Sequence, residues 1–256
     1  MEIAGLGNVD WSAPWLTSLA GIGQAVASPH WRGALNHASK QNDLRNHRGH
    51  PIVFTEGDAA GAGEPYESFI ARTGCVPTRG NVHDYFNALM FLQFPHAKAQ
   101  LNHLQSKAID RDGIRRARGP VRDAATLIDE NGLLLVTRRP DLIDSARLHD
   151  WSALFVRQRA AWHHDVAAHV FGHALLEKLV RPYKAITAHA LHVPLPANAS
   201  LVEVDRYLAA SFGDELSPLQ LIPVPVLGIP GWYAPNANPD FYRDAKVFRP
   251  ANMRRP

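Results

Sequence analysis

Two histidines and a glutamate recur at four-residue intervals within residues 163–180. If this stretch is helical, His169, His173 and Glu177 lie on one face, because positions four apart stack over successive turns. Imidazole and carboxylate groups are common ligands of Zn²⁺ and similar ions. The spacing therefore predicts a helix over 151–180, in one or two pieces, that holds one divalent metal ion. A second interpretation stays open, in which both histidines are buried core residues hydrogen-bonded to their neighbours.

A second group of polar side chains lies at the start of a helix predicted over 83–93. His83 and Asn87 are one turn apart, and Asp84 lies in the first turn, where the helix dipole favours a carboxylate. An adjacent imidazole and carboxylate are suited to proton transfer, so His83 and Asp84 are candidate catalytic residues. The alternative is structural, with Asn81 as the cap of this helix and the other side chains as partners in hydrogen bonds between helices.

The next predicted helix, over 96–118, places Lys98 and Asn102 beside an apolar face. A cation with neighbouring amides can bind a carboxylate or a phosphate. Together with Arg79 and Asn87, these two residues are candidate ligands for a small anionic substrate. In the alternative, the lysine extends to water along the apolar surface and the amides bond between helices.

Two adjacent carboxylates, Asp129 and Glu130, precede the pair Asn131-Gly132. Asn-Gly between apolar runs is a strong hairpin signal, and it predicts a small hairpin over 126–137. At the end of a strand the carboxylates could complete the shell of a metal ion or act as a general base. A turn without chemistry is the other interpretation, because such residues tolerate turn backbone angles.

A group of arginines clusters over 111–122: Arg111, Arg115, Arg116, Arg118 and Arg122. Such a cluster could neutralise the phosphates of a nucleic acid or bind another acidic partner. Interleaved aspartates and the cationic preference of a helix end favour a solvated surface instead.

Several of these segments resemble a mainly proteobacterial family, domain of unknown function 3025. The matching stretches are PTRGNVHDYFNALMFLQFPHAKAQLN (77–102), RDAATLIDENG (122–132), VFGHALLEKLVRPYKAITAHAL (170–191), and VLGIPGW with FYRDAKVFRP near the end. The resemblance covers most of the chain from about residue 50 onward. It implies that these segments belong to one module, and it brings no activity, cofactor or catalytic residue to this chain.

Helical periodicity covers about half the chain and the strand candidates are few and short, which predicts a mainly α fold with minor β structure (α+β). The chain has 256 residues, 46% hydrophobic and 20% charged, and no low-complexity linker divides it. We expect a single compact helical domain over 1–256, with a more irregular part at 1–50, a helical body at 51–218 and a proline-rich strap at 219–256. Prolines exclude a helix in that strap and favour an extended segment or an edge strand, and its aromatic residues should pack on the body.

Other elements follow from local signals. Proline positions, apolar periodicity and the pair Ser200 and Glu203 predict helices over 14–27, 65–70 and 200–213, a strand at 52–54, and an irregular connection over 28–50.

Several protein classes are excluded by missing signals. The single Cys75 excludes a disulfide framework and a cysteine-based zinc module, and a lone cysteine is more often a small buried side chain than a nucleophile. Hydrolase elbows, phosphate-binding P-loops and complete dinucleotide fingerprints are absent. No apolar run is long enough for a membrane span, and the first residues do not resemble a secretory signal, so we expect a cytoplasmic protein without membrane contact.

The combined prediction is a metal-assisted hydrolase or transferase that acts on a small anionic substrate. Two alternatives stay open. One is a module that binds nucleic acid or an acidic partner through the 111–122 arginines, and the other is a structural or interaction protein without catalysis.

Overall fold

The computed structural model describes residues 2–59, 63–113 and 119–250. Their helices are α1 (Ala20–Val26), α2 (Trp31–Gln41), α3 (Tyr66–Thr73), α4 (Val82–Gln93), α5 (Pro95–Asp112), α6 (Pro120–Asn131), α7 (Pro140–Arg147), α8 (His173–Leu179) and α9 (Leu201–Ser211). Their strands are β1 (Val53–Thr55), β2 (Cys75–Pro77), β3 (Gly132–Val136), β4 (Ala167–Val170), β5 (Thr187–Val193) and β6 (Ile222–Pro225). Helices dominate and strands are short, which confirms the predicted α+β class.

A four-stranded sheet in the order β4-β3-β5-β6 forms the centre of the fold. Every residue of β3 is buried, as a strand with neighbours on both sides and helices against it requires. β3 runs parallel to β5, and the outer strands β4 and β6 run antiparallel to their neighbours. The strands β1 and β2 form a separate parallel pair.

Helices cover this sheet in two layers. α6, α7, α8 and α9 contact its strands directly, and α4 and α5 pack on α6, α8 and α9. Prolines start α5, α6 and α7, because the first helical position needs no N–H donor. α4 is buried along most of its length, since eight of its residues, from Asp84 to Phe91, lie in the interior.

The predicted hairpin over 126–137 is wrong. Residues up to Asn131 belong to α6, and Gly132 begins β3, which pairs with β4 and β5. Ala124, Ala125 and Ile128 continue the helical periodicity that begins at Pro120, and their burial keeps this stretch helical.

The predicted helix over 151–180 is also wrong over most of its length. A π-helical turn (Ala153–Arg157) and a 3₁₀-helix (Arg159–His163) are followed by β4 and only then by α8. The segment Ala167–Val170 is extended because it pairs with β3, and Gly172 then precedes the first residue of α8.

The amino-terminal part contains more helix than predicted. Residues 28–50 include α2, whereas the predicted helix over 14–27 divides into a 3₁₀ turn (Pro14–Leu16) and α1. The capping box predicted at Ser200 and Glu203 is confirmed at the start of α9. The predicted helix over 65–70 corresponds to α3, and the predicted strand at 52–54 to β1.

The proline-rich tail packs on the body, as predicted. β6 is an edge strand, and 3₁₀ turns rather than a continuous extended strap follow it. The ring of Tyr242 stacks on Phe155 with centroids 5.7 Å apart, and Phe248 meets the same ring edge-on at 6.4 Å. Both tail side chains are buried.

Candidate metal centre

His83, Glu130 and His173 meet between three helices. Each offers one ligand atom, and these atoms lie within 4.8 Å of one another. His83 lies in the first turn of α4, Glu130 in the last turn of α6, and His173 is the first residue of α8. In the described part of the chain, no other group of three or more histidine, cysteine or acidic side chains is this close. The three side chains could hold a metal ion, because two imidazoles and one carboxylate are a known ligand set for catalytic zinc.

The ring of His83 is oriented by Glu177. Its Nδ1 lies 2.6 Å from Oε2 of Glu177, which projects from α8 one turn after His173. A carboxylate at one imidazole nitrogen fixes the tautomer and makes the other nitrogen a better ligand. Nε2 of His83 is therefore the atom that can face an ion. The side chain is 31% exposed, so the cluster is open to solvent on this side.

His173 is the buried member of the cluster, at 4% exposure. Its Nε2 is 3.6 Å from Oε2 of Glu130, and its Nδ1 is 3.8 Å from Oδ2 of Asp129. Nδ1 is buried and has no hydrogen-bond partner. Burial lowers the pKa of His173 to about 4, so the ring is neutral at pH 7, as a metal ligand must be.

The carboxylate of Asp129 is balanced by a buried lysine. Lys98 donates hydrogen bonds to Oδ1 of Asp129 and, over 2.8 Å, to Oδ1 of Asn87. Burial opposes ionisation of Asp129, but the charge and hydrogen bond of Lys98, together with the neighbouring His173 and His83, outweigh it and lower the pKa of this carboxyl. Burial and the neighbouring Asp129 charge raise the pKa of Glu130. A cation beside Glu130 would favour its ionised form.

The two turns that carry Glu130 and His173 touch through their backbones. The N–H of Gly172 donates to the carbonyl of Gly132 over 2.9 Å. A Cβ atom at Gly172 would lie only 2.4–2.5 Å from backbone atoms of Gly132, Asn131 and Glu130. Glycine is therefore needed at position 172 to keep His173 close to Glu130.

Two predicted residues near His83 in the sequence, Asp84 and Arg79, pair with each other. Asp84 accepts hydrogen bonds from the backbone and the guanidinium of Arg79 at 2.7–3.0 Å. Burial opposes ionisation of Asp84, but these bonds and the charge of Arg79 lower its pKa. The N–H of Asp84 donates to the side chain of Asn81, which caps α4. Both oxygens of Asp84 are thus occupied, whereas the Arg79 side chain is largely exposed.

The other predicted substrate ligands are buried within the helices. The Nδ2 group of Asn87 donates to Tyr66, and that of Asn102 donates to Glu67. Lys98 points to Asp129 and to Asn87 rather than to solvent. These residues form a buried network that reaches Asp129, the residue before Glu130, instead of a substrate surface.

His169 is separated from the predicted metal set. It lies in β4 opposite Leu134, not on a helix with His173, so the expected four-residue face does not exist. Burial lowers its pKa. His173 and Glu177 share α8 as predicted, but Glu177 orients His83. The sequence pointed to His83 for proton transfer and to Glu130 for a metal shell or a general base, and it did not single out Glu67, because no local pattern shows that these helices converge.

The arginines over 111–122, the predicted surface for an acidic partner, lie only partly within the described residues. Arg111 pairs with Asp112 at 2.8 Å, and Arg122 lies in α6. Arg115, Arg116 and Arg118 lie outside the described residues. Binding of nucleic acid or another acidic partner stays a prediction.

The comparisons with known proteins bear on the family. None of the helices in the described ranges is long and apolar enough to cross a membrane. No curated protein and no solved structure matches the chain. A family model matches residues 52–252, which include all three members of the cluster. The chain therefore belongs to the family described as "Protein of unknown function (DUF3025)".

Proposed function

We propose that the protein binds one divalent ion of the Zn²⁺ type and uses it to hydrolyse or transfer a group on a small anionic substrate. The ligands are Nε2 of His83, Nε2 of His173 and the carboxylate of Glu130. The observation that carries the proposal is the convergence of these three groups within 4.8 Å. Three protein ligands leave a coordination position for water, as in catalytic zinc sites.

Carboxylates next to the two histidine ligands support this assignment. Glu177 at Nδ1 of His83 and Asp129 facing Nδ1 of His173 are the carboxylate partners that metal-bound histidines use. This arrangement would explain why Nδ1 of His173 is buried without a hydrogen-bond partner. With Nε2 on an ion, its Nδ1–H would donate to Asp129, which Lys98 holds in place.

The chemistry follows from the ion's charge. A bound divalent ion lowers the pKa of its water towards 7 and so supplies a nucleophile at neutral pH. Arg79 is the candidate for binding the negative charge of the substrate, because its side chain is 67% exposed and its guanidinium is held by Asp84, the residue after His83. Lys98 has a positioning role in this proposal, not a substrate-binding one.

The test is metal content and metal-dependent turnover. Protein purified without chelator should contain about one divalent ion per chain by elemental analysis, and His83→Ala and His173→Ala should lose it. His37→Ala is the matched control, because His37 is an exposed histidine of α2. Release of nitrophenol from an anionic nitrophenyl ester should require the ion and fall in Arg79→Gln. Equal metal content in the wild type and in the three histidine variants would contradict the proposal.

A further inference from the structure

A small cavity lies behind the candidate metal centre, between α3, α5 and α6. It is lined by Glu67, Lys98, Asn102, Gln105 and Asp129, together with aromatic and aliphatic side chains. Its volume is about 10 Å³, which is about the space that the centre of one water molecule requires. Polar walls of this kind favour a bound water over an empty void.

Two of the side chains that line this cavity have unused hydrogen-bonding capacity. Asn102 uses its Nδ2 group for the carbonyl and, at 2.6 Å, for Oε2 of Glu67, but its buried Oδ1 has no partner. The ammonium of Lys98 has three N–H groups, and Asn87 and Asp129 take two of them. Buried polar groups are rarely left without a hydrogen-bond partner. An unpaired acceptor and an unpaired donor in the wall of one cavity therefore indicate a bound molecule that pairs with both.

We propose that one water molecule binds in this cavity and links Lys98 to Asn102 and Glu67, which makes Glu67 a positioning residue for the metal centre. The water accepts from Lys98 and donates to Oδ1 of Asn102 and to the carboxyl of Glu67. Through Lys98 it helps to hold Asp129 beside His173. The positioning role rests on the proposed metal function, whereas the water site does not.

The charge state of Glu67 fits this role. Burial, followed by the charge of Asp129, raises the pKa of Glu67 to about 7. A carboxyl that is partly protonated at neutral pH competes weakly for the charge of Lys98. The ammonium therefore stays directed at Asp129, and Glu67 contributes through the water.

The water is tested by a crystal structure of the full chain that resolves ordered solvent, and the positioning role by zinc titration. Glu67→Met has a similar size but cannot bond to water, and we expect it to bind Zn²⁺ about tenfold more weakly, as is typical when a partner of a metal ligand is lost. Glu67→Gln should keep the water and bind within about threefold of the wild type. Glu64→Met is the matched control with unchanged affinity, because Glu64 forms a surface ion pair with Arg72.

The outcomes separate the two proposals. Wild-type affinity in a folded Glu67→Met, or no ordered water in the wild-type cavity, would overturn the inference and leave the metal proposal standing. If Glu67→Met does not fold, a loss of zinc affinity of more than threefold in Glu67→Gln overturns the assigned role of the water. If the wild-type chain binds no zinc, the metal function and the positioning role both fail, and ordered water in the cavity would still confirm the water site.

Discussion

Nδ1 of His83 and Oε2 of Glu177 lie 2.6 Å apart although 94 positions separate them in the chain. This contact joins the start of α4 to α8 and fixes the ring of His83 on the candidate metal centre. We expect Glu177→Gln to keep the fold and weaken zinc binding about tenfold, because the amide is a weaker acceptor than the carboxylate. Competition with a chromophoric chelator measures this. An unchanged affinity would mean that Glu177 does not act through His83.

Lys98→Met should destabilise the protein strongly. The lysine is 4% exposed, and its loss leaves Asp129 as an unpaired charge inside the protein. Removing one partner of a buried ion pair costs about 3–5 kcal/mol. Urea unfolding should show this, whereas Lys107→Met, on the same helix, should cost about 1 kcal/mol or less, because its pair with Asp214 is on the surface. Equal effects of both variants would contradict the assignment.

Glu67 should make stability fall as pH rises from about 4.5 to about 7. Its pKa is raised from 4.5 to about 7, so the folded state holds the proton more tightly than the unfolded state does. The stabilising contribution is complete below 4.5 and is lost above 7, and a shift of this size corresponds to roughly 3 kcal/mol. Unfolding free energies at pH 5 and pH 8 should differ less in Glu67→Gln than in the wild type. The same pH dependence in both proteins would show that another group is responsible.

Gly172→Ala should separate His173 from Glu130. The added methyl group meets three backbone atoms at 2.4–2.5 Å, and backbone cannot rotate away. We expect a lower melting temperature and weaker zinc binding. Gly33→Ala is the control, because a Cβ there meets nothing within 4 Å and alanine favours the α2 helix. A Gly172→Ala protein as stable as the control variant would be inconsistent with this packing.

The tail should contribute substantially to stability. Phe248 is buried against Phe155 and Tyr242, and a Phe→Ala change in a core costs about 3–5 kcal/mol. We expect a clear fall in melting temperature for Phe248→Ala. Leu219→Ala should leave it unchanged, because Leu219 is 95% exposed. A small effect of Phe248→Ala would show that the tail packs loosely.

Local signals predicted the elements whose cause is local. Asn81 caps α4 and Ser200 caps α9 within one turn of each helix, so the sequence shows both starts. Asn131-Gly132 misled the prediction because the same pair can end a helix and begin a strand. The outcome at this pair depends on β4 and β5, which pair with β3 from distant parts of the chain.

The site was harder to predict, because its residues also come together through contacts between distant parts of the chain. Residues recurring every four positions indicate a helix face, but His169 is extended because β4 pairs with β3. The residues that lie close to His173 are Glu130 and His83, and no periodicity connects them. The residue types were therefore recognised from the sequence, whereas their grouping depends on how α4, α6 and α8 pack.

The three proposed ligands come from three different helices, α4, α6 and α8, so the proposed metal binding would be linked to folding. An unfolded chain does not hold these side chains together, so an ion would bind the folded state almost exclusively. The unfolding equilibrium then depends on the free ion concentration. Each tenfold increase above the dissociation constant adds about 1.4 kcal/mol to the stability of the fold.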